Sequence, residues 1–395
     1  MRWVDFDIHG LIGIRLVSPS PQVEAAVTSH LGPLRKPLRR EPDITYRFGE
    51  RLPVAGLRLL GQHQYGFTDE AFFILPRTRQ GVKVKIPFDR LGTPCEIICE
   101  EGVDEAPLLI DLIRVLALNK DCVPVHASAF TYQGQSFLVS SWAKGGKTTA
   151  LLGFLSLGAE FVADDFVLLS GDGQAMYGVP TPLEVSDRHL AAMPSLRNGI
   201  NTRERLRMAC LEGLHRTQNS LARLTSGASL AARAWQKTVS ALERNWCVCM
   251  SPPRAFGKGL KYHAPAPGKI FILMSHERSC IEVEPACLSD TAERLASATL
   301  QEQKALAEHY RAFKFAFPNK ANPFIECAGE RLREILSRSL VGKEAFIVRH
   351  PYPVHFSDLY KALRPYCEQT PGIISGATSR AGAWRNETPA LRCAS

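Results

Sequence analysis

The sequence predicts an α/β fold with a mainly β N-terminal region and a helical insertion in the α/β core. Short apolar runs with period-two patterning, separated by Gly, Pro and Asp, fill most of residues 1–105. Strand and helix patterns then alternate from residue 123 onward, around a glycine-containing loop. A basic stretch interrupts this alternation between residues 191 and 265. The length of 395 residues allows about two or three domains, each with its own core.

The N-terminal region is predicted to be a mainly antiparallel β structure. The predicted strands are 11–17, 44–48, 71–75, 82–86 and 95–98. One helix, over residues 21–31, interrupts them. Pro107 then suits the first turn of a second helix, whose apolar stripe is Leu109, Leu112, Ile113 and Leu116. This helix leads into the core.

The core pattern is strand, tight turn, strand, glycine-containing loop, helix and strand. The predicted ranges are 123–130, 133–135, 136–140, then helix 147–157 and strand 161–169. A later α/β part has strand 269–274, helices 290–313 and 324–340, strand 345–349 and helix 357–366. We interpret the His-Pro-Tyr-Pro segment 350–353 as a turn, with a binding role as the alternative.

The changes in pattern divide the chain into five parts. They are a mainly β domain 1–105, a first part of the core 106–190, a basic helical insertion 191–265, a second part of the core 266–370 and a tail 371–395. The tail is rich in Gly, Ser, Ala, Thr and Pro, a composition that predicts disorder.

The formal charge of +9 comes from one segment. Residues 197–261 hold twelve basic and three acidic residues, which accounts for the whole excess. Within residues 229–244, one helical face carries Trp235, Val239 and Leu242, and the opposite face carries Arg233, Lys237 and Arg244. A basic amphipathic helix can bind an acidic peptide, a membrane surface or nucleic acid, and the alternative is a solvated face. Trp235 and Trp246 alone form no stacking platform, so we favour a docking or lid role and do not expect nucleic acid.

Cysteine usage and hydropathy bear on location. The eleven cysteines lack the C-x-x-C spacing of a zinc ribbon or a redox pair. An odd count in a large chain without a signal-peptide pattern predicts reduced thiols and a cytoplasmic protein. The most apolar run, 108–118, is too short to span a bilayer and is interrupted by Asp111 and Arg114, so no membrane span is expected. A homo-oligomer remains an open alternative.

The segment 140–149, Ser-Ser-Trp-Ala-Lys-Gly-Gly-Lys-Thr-Thr, contains a phosphate-binding loop pattern. Gly146, Lys147 and Thr148 match the end of G-x-x-x-x-G-K-[ST], whereas Ser141 stands at the first glycine. Backbone N–H groups at the start of the helix cradle a β-phosphate, Lys147 supplies a charge, and the Thr148 hydroxyl can ligate Mg²⁺. We therefore predict binding of ATP and Mg²⁺, and the alternative is a structural glycine turn. The nucleotide-binding residues are predicted to be Lys144, Gly145, Gly146, Lys147, Thr148 and Thr149.

Two adjacent carboxylates follow the next strand. Asp164 comes sixteen residues after Thr148, and Asp165 follows it directly. A phosphoryl-transfer site needs one carboxylate for Mg²⁺ and one to accept the proton of an attacking hydroxyl. Neighbouring residues of a strand point to opposite faces, so the two roles should differ. The alternative for this pair is a turn or a helix cap. His126, on the strand before the loop strand, is a candidate catalytic residue, and the alternative is a core residue.

These motifs occur in an order that resembles a known family. Residues 125–130, the loop 145–149, residues 157–160 and residues 161–165 resemble the catalytic domain of the bacterial HPr serine kinase/phosphorylase family. The short gap between the loop and the Asp pair is the diagnostic part. The match covers about residues 123–186, and the whole chain looks closer to HPr-kinase-like proteins of bacterial peptide-modification and polysaccharide-type clusters. The resemblance implies a P-loop kinase core of the HPr kinase/phosphoenolpyruvate carboxykinase type.

The resemblance also implies roles for individual residues. Asp164 looks like the general base and His126 the residue that interacts with it. Thr148 and Asp165 look like metal-side ligands, and Glu184 looks like a further carboxylate near the metal or, equally, an exposed loop acid. The family's C-terminal Pro-Gly-Arg-Asn segment has no counterpart here, so HPr as substrate and the phosphorylase reaction are not expected.

We therefore hypothesise a Mg-ATP-dependent kinase that phosphorylates a hydroxyl, with serine of a peptide or small protein as the acceptor. One alternative is a nucleotide-binding regulatory module without transfer activity. The other is a kinase for a sugar or another small molecule.

Overall fold

A computed structural model describes residues 2–49, 51–52, 54–75, 82–206 and 247–368. The predicted basic amphipathic helix 229–244 and the predicted disordered tail 371–395 lie outside the described residues. Within them, the chain is a mixed α/β protein built on two large sheets and one smaller sheet.

The N-terminal region forms an eight-stranded sheet with the order β1-β2-β3-β8-β7-β6-β5-β4. Its strands are β1 Trp3–Ile8, β2 Ile12–Val17, β3 Ile44–Phe48, β4 Arg58–Leu60, β5 Tyr65–Phe67, β6 Phe72–Ile74, β7 Val84–Lys85 and β8 Cys95–Cys99. The pairs β2–β3 and β3–β8 are parallel, and the other five pairs are antiparallel. Helix α1, Pro21–Leu31, carries the chain from β2 to β3, and a helical crossover of this kind lets consecutive strands run parallel.

The central sheet has six strands in the order β12-β10-β11-β18-β20-β19. Its strands are β10 Ala127–Tyr132, β11 Gln135–Ser141, β12 Glu160–Ala163, β18 Lys269–His276, β19 Glu282–Pro285 and β20 Glu344–Pro351. Strand β11 pairs in parallel with β18, and β18 in parallel with β20. Since β10 is antiparallel to both β11 and β12, strand β12 shares their direction. Four carboxyl ends therefore meet at one edge of this sheet.

A four-stranded antiparallel sheet lies beside the central one. Its order is β17-β14-β13-β9, with β9 Cys122–Val125, β13 Val167–Ser170, β14 Ala175–Gly178 and β17 His263–Pro265. A further pair joins β15, Leu183–Val185, to β16, Val248–Met250. The predicted strand 123–130 is in fact two strands that separate at His126, and the predicted strand 161–169 separates at residues 164–166. Both breaks occur where the chain passes from one sheet to the other.

Helices pack on both faces of the central sheet and on the N-terminal sheet. The helices after α1 are α2 Leu109–Asn119, α3 Lys147–Leu155, α4 Asp187–Ala192, α5 Pro252–Phe256, α6 Leu288–Gln301, α7 Lys304–Ala316, α8 Pro323–Glu326, α9 Ala328–Ser339 and α10 Phe356–Glu368. Side chains of β11 alternate between the two faces: Phe137 and Val139 pack with α3 and α10, and Leu138 packs with α6 and α9. A third cluster joins the N-terminal sheet to α2 and α7.

The two long helices predicted from periodicity are each interrupted, so those predictions were wrong. The helix predicted over 290–313 breaks at Glu302 and Gln303, where the Arg114 guanidinium donates to the Glu302 carbonyl at 3.1 Å. The helix predicted over 324–340 breaks at Cys327, and its start is held by Asn322, whose side chain binds the Phe88 and Leu91 carbonyls at 2.6 and 2.7 Å. Among the described residues, no helix combines the length and the apolar character needed to cross a bilayer.

Candidate active site

The glycine-containing loop lies at the carboxyl edge of the central sheet, between the end of β11 at Ser141 and the start of α3 at Lys147. Gly146 has φ +101°, a conformation that favours glycine. A Cβ on Gly145 would lie 2.8 Å from the Ser141 Oγ and 2.9 Å from the Trp142 carbonyl oxygen. The loop therefore requires both glycines, and its backbone arrives at the N-terminus of α3 as a phosphate-binding loop does.

Ser141 fits at the position of the first expected glycine. Its side chain is buried, and its hydroxyl donates to the Trp142 carbonyl at 2.8 Å. It occupies the space that a side chain at position 145 would need. The serine is thus tolerated because Gly145 has no Cβ.

His350 supports the loop from β20. Its Nε2 lies 3.1 Å from the Gly145 carbonyl oxygen, its Nδ1 lies 2.8 Å from the Pro351 carbonyl oxygen, and the side chain is fully buried. Carbonyl oxygens only accept hydrogen bonds, and a neutral imidazole has one N–H. Both contacts are hydrogen bonds only when both ring nitrogens carry a proton. The sequence pattern predicted a turn over residues 350–353 and did not reveal the contact between His350 and Gly145.

Asp164 is enclosed by hydroxyl groups. It is 2 % exposed, and its carboxylate accepts hydrogen bonds from the Ser128 hydroxyl and, at 2.8 Å, from Thr148 Oγ1. The Thr181 hydroxyl donates to the Asp164 carbonyl at 2.9 Å. Burial raises the pKa of Asp164, and the neighbouring charge of Asp165 adds to this shift.

Asp165 has the opposite environment. Its side chain is 46 % exposed, and its backbone has φ 70°, so it turns away from the direction of β12. Its Oδ1 lies 2.7 Å from His126 Nε2 and 3.5 Å from Lys147 Nζ. Burial would raise the pKa of Asp165, but the His126 hydrogen bond and the Lys147 charge outweigh burial and hold the pKa well below its usual range.

His126 lies between Lys147, at the start of α3, and Asp165, in the turn after β12. Its side chain is 4 % exposed, and its Nε2 is 2.7 Å from both Lys147 Nζ and Asp165 Oδ1. Its Nδ1 is buried without a hydrogen-bond partner among the described residues, and the nearest acid is Glu302, with Oε1 at 3.8 Å. The resemblance implied that His126 acts with Asp164; the structure instead places the ring against Asp165. The reason is the turn at residues 164–166, which directs the two carboxylates to different sides.

Two further contacts define the edge of the site. Thr149 Oγ1 lies 3.1 Å from His189 Nε2, and His189 Nδ1 accepts the Ser186 N–H at 3.2 Å. Nε2 is therefore the protonated nitrogen of a neutral His189 and donates to Thr149. Burial lowers the pKa of His189 to about 4.

The remaining predicted residues lie at the periphery. Lys144 is exposed and has φ 61°, on the outer side of the loop. Glu184 is exposed on β15, opposite Cys249 of β16, in a strand pair separate from the two sheets whose strands flank Asp164 and Asp165. The described part of the chain holds no group of three or more His, Cys, Asp and Glu side chains arranged for a metal ion.

The arrangement places a cation, two hydroxyls and two carboxylates with oppositely shifted pKa values at one sheet edge. Sequence reasoning found Lys147, Thr148, Asp164, Asp165 and His126. It missed His350, Ser128, His189 and Glu302, which reach the site through contacts distant in the chain and carry no local motif. No protein-family model matches the chain, and no curated protein matches it either.

Proposed function

We propose that this protein is a Mg-ATP-dependent kinase that transfers the γ-phosphoryl group to a hydroxyl, with a serine of a peptide or small protein as acceptor. The observation that carries the proposal is the meeting of the Gly145-Gly146-Lys147-Thr148 loop with Asp164 and Asp165 at the carboxyl edge of one sheet. The resemblance to the HPr kinase family supports the same reading.

The phosphate side of the site is the loop and the start of α3. Backbone N–H groups at a helix N-terminus attract phosphate oxygens, and Lys147 adds a full positive charge. Lys147 Nζ is held at the loop by its ion pair with Asp165 at 3.5 Å, and it lies 2.7 Å from His126 Nε2. From this position the ammonium group can move to a phosphate oxygen.

The metal side is proposed to be Thr148 and Asp164. Their oxygens are 2.8 Å apart, and hydroxyl and carboxylate oxygens are the donors that Mg²⁺ prefers. Mg²⁺ is commonly held by one or two protein side chains together with substrate phosphates, so two protein donors fit it. When bound with ATP, Mg²⁺ neutralises charge on the phosphate oxygens.

The acceptor side is proposed to be Asp165 with His126. Asp165 is the carboxylate that a peptide hydroxyl can reach, because Asp164 is enclosed. When Lys147 moves from Asp165 to a phosphate oxygen, one of the partners that lower the pKa of Asp165 is removed. Asp165 then accepts the hydroxyl proton as the oxygen attacks the γ-phosphorus and the bond to the β-phosphate breaks, leaving ADP. These roles are the reverse of those that the resemblance implied for the two carboxylates.

The test uses [γ-³²P]ATP, Mg²⁺ and an array of serine-containing peptides, with sugars as a second acceptor set. We expect label in peptides, loss of transfer of at least about 100-fold in Asp165→Asn, and retained ATP binding. Asp69→Asn, an exposed carboxylate in another sheet region, is the control and should leave transfer unchanged.

Three results would each contradict part of this proposal. If Asp165→Asn transfers phosphate as fast as the wild type and Asp164→Asn is inactive, the general base is Asp164 and not Asp165. Binding of ATP by calorimetry with no transfer to any acceptor would indicate the regulatory module instead, and label only in sugars would indicate a small-molecule kinase.

A further inference from the structure

Three large apolar side chains are exposed at the carboxyl edge of the central sheet. Trp142 follows β11 and is 56 % exposed, Met274 lies near the end of β18 and is 38 % exposed, and Tyr352 follows β20 and is 64 % exposed. Strands β11, β18 and β20 are parallel neighbours, so these residues lie along one edge. Exposed apolar groups concentrated beside a ligand site indicate contact with part of the ligand.

The sheet order indicates which way a nucleotide would extend from the loop. Asp164 and Asp165 follow β12, on one side of β11, so the γ-phosphate and the acceptor belong on that side. The other end of the nucleotide must extend away from them, toward β18 and β20. Neighbouring strands are about 4.8 Å apart. The edge from β11 to β20 therefore spans about 10 Å, close to the length of a nucleoside.

Tyr352 is connected to the loop through its own strand. His350 of β20 contacts the Gly145 carbonyl oxygen at 3.1 Å, and Tyr352 comes two residues later. The register pairs Ser275 of β18 with His350, which places Met274 on the strand between Tyr352 and the loop. Arg294 of α6 donates to Met274 Sδ at 3.5 Å, so Met274 lies on the α6 face of the sheet, whereas Leu273 and His350 face the loop.

We propose that the base of a bound nucleoside triphosphate lies across the carboxyl ends of β18 and β20, with its ring stacked on Tyr352 and flanked by Trp142. The inference rests on the proposed function, since it takes the phosphates to be in the loop. Stacking on an aromatic ring recognises a flat heterocycle, and an inorganic polyphosphate has none.

The experiment compares Mg-ATP with magnesium tripolyphosphate, by calorimetry on the full chain. Tyr352→Ala should weaken ATP binding about 5-fold to 100-fold, the range that base stacking supports, and leave tripolyphosphate binding unchanged. Tyr352→Phe keeps the ring and should bind ATP within about 2-fold of the wild type. Phe315→Ala removes a 76 % exposed ring on α7 and serves as the matched control.

Trp142→Ala is a second variant, which does not alter the turn after β20. It should weaken ATP binding less than Tyr352→Ala, again without an effect on tripolyphosphate. If both variants bind ATP as tightly as the wild type, the proposed base site is wrong and the proposed function is unaffected. Failure of the wild type to bind either compound overturns the proposed function and the base site together.

Discussion

Asp164 and Asp165 show how strongly the surroundings of a residue decide its chemistry. The two side chains are identical and adjacent, yet one is enclosed by the Ser128 and Thr148 hydroxyls and the other faces His126 and Lys147. Burial raises the pKa of the first, whereas cationic and hydrogen-bonding partners lower the pKa of the second. Carboxylates whose pKa values diverge in this way are typical of sites that divide two roles between them.

Replacement of each carboxylate by asparagine should change stability in opposite directions. At pH 7, Asp164→Asn removes a charge that burial disfavours and should leave the free energy of unfolding equal or higher by about 1 kcal/mol. Asp165→Asn removes a charge that its partners favour and should lower it by about 1 kcal/mol, since the site is half-exposed and screened. Asparagine also accepts the positive φ of position 165.

Urea unfolding of both variants at pH 7 measures the difference. Because the pKa of Asp165 is lowered, its contribution is present above the ordinary carboxylate pKa and lost at lower pH. The gap between wild type and Asp165→Asn should therefore shrink toward pH 3. Equal destabilisation by both substitutions would show that the two carboxylates share one environment.

At the scale of elements, the site lies where strands change sheets. His126 interrupts β9 and β10, and residues 164–166 interrupt β12 and β13, so both breaks bring polar side chains to one place. Strand β20 contributes from the opposite side through His350, whose contact with Gly145 spans 205 residues of sequence. The loop is thus held by two strands and one helix, rather than by its own sequence alone.

Loss of the His350 ring should loosen the loop. His350→Ala leaves the Gly145 carbonyl without its contact and opens a cavity at the fully buried ring, so we expect a loss of about 2 to 4 kcal/mol in unfolding free energy. The affinity for magnesium tripolyphosphate should fall at least about 10-fold, because the loop N–H groups lose their fixed orientation.

The measurements are urea unfolding and calorimetry, with His355→Ala as the control, since His355 is exposed just after the same strand. His350→Gln, which can still donate one hydrogen bond, should recover part of the affinity. Wild-type affinity in His350→Ala would show that the loop is held without β20.

At the scale of the whole molecule, several histidines are partly buried, which disfavours their charged form. Burial lowers the pKa of His9, His30, His189 and His309. They lie in different parts of the fold, so acidification acts on the molecule as a whole. The formal charge of +9 acts in the same direction, since protonation adds to a net positive charge that already opposes compaction.

The protein should lose stability as the pH falls from about 6.5 toward 4. A histidine with a lowered folded-state pKa binds protons first in the unfolded state, so its contribution is complete above 6.5 and lost below. For His189, whose pKa is lowered to about 4, the loss should be on the order of 2 to 3 kcal/mol.

Urea unfolding at pH 7, 5.5 and 4.5 tests this prediction. His189→Gln should show a smaller loss over this interval, because glutamine can bond to Thr149 and does not titrate. His263→Gln, which replaces an exposed histidine of β17, is the control. If the free energy of unfolding falls equally with pH in wild type and His189→Gln, His189 does not contribute to the pH dependence.

Local sequence was sufficient for the features that depend on short spacing. The glycines and Lys147-Thr148 of the loop, the Asp pair after a strand and most element positions follow from turn chemistry and periodicity over fewer than about twenty residues. Periodicity failed where distant partners intervene: Arg114 binds at the break after α6, and Asn322 fixes the start of the next helix pair.

The amino-acid sequence by itself determined which residues form the glycine-containing loop between β11 and α3 and which carboxylates follow the next strand. Only the tertiary structure decided that His126 lies against Asp165, that Thr148 lies against Asp164, and that His350 supports Gly145. Strand periodicity predicts which face of a sheet a side chain lies on. It does not predict a turn with positive φ or the point at which the chain passes from one sheet to another. Those depend on how two sheets meet, and that is settled by contacts between residues far apart in the chain.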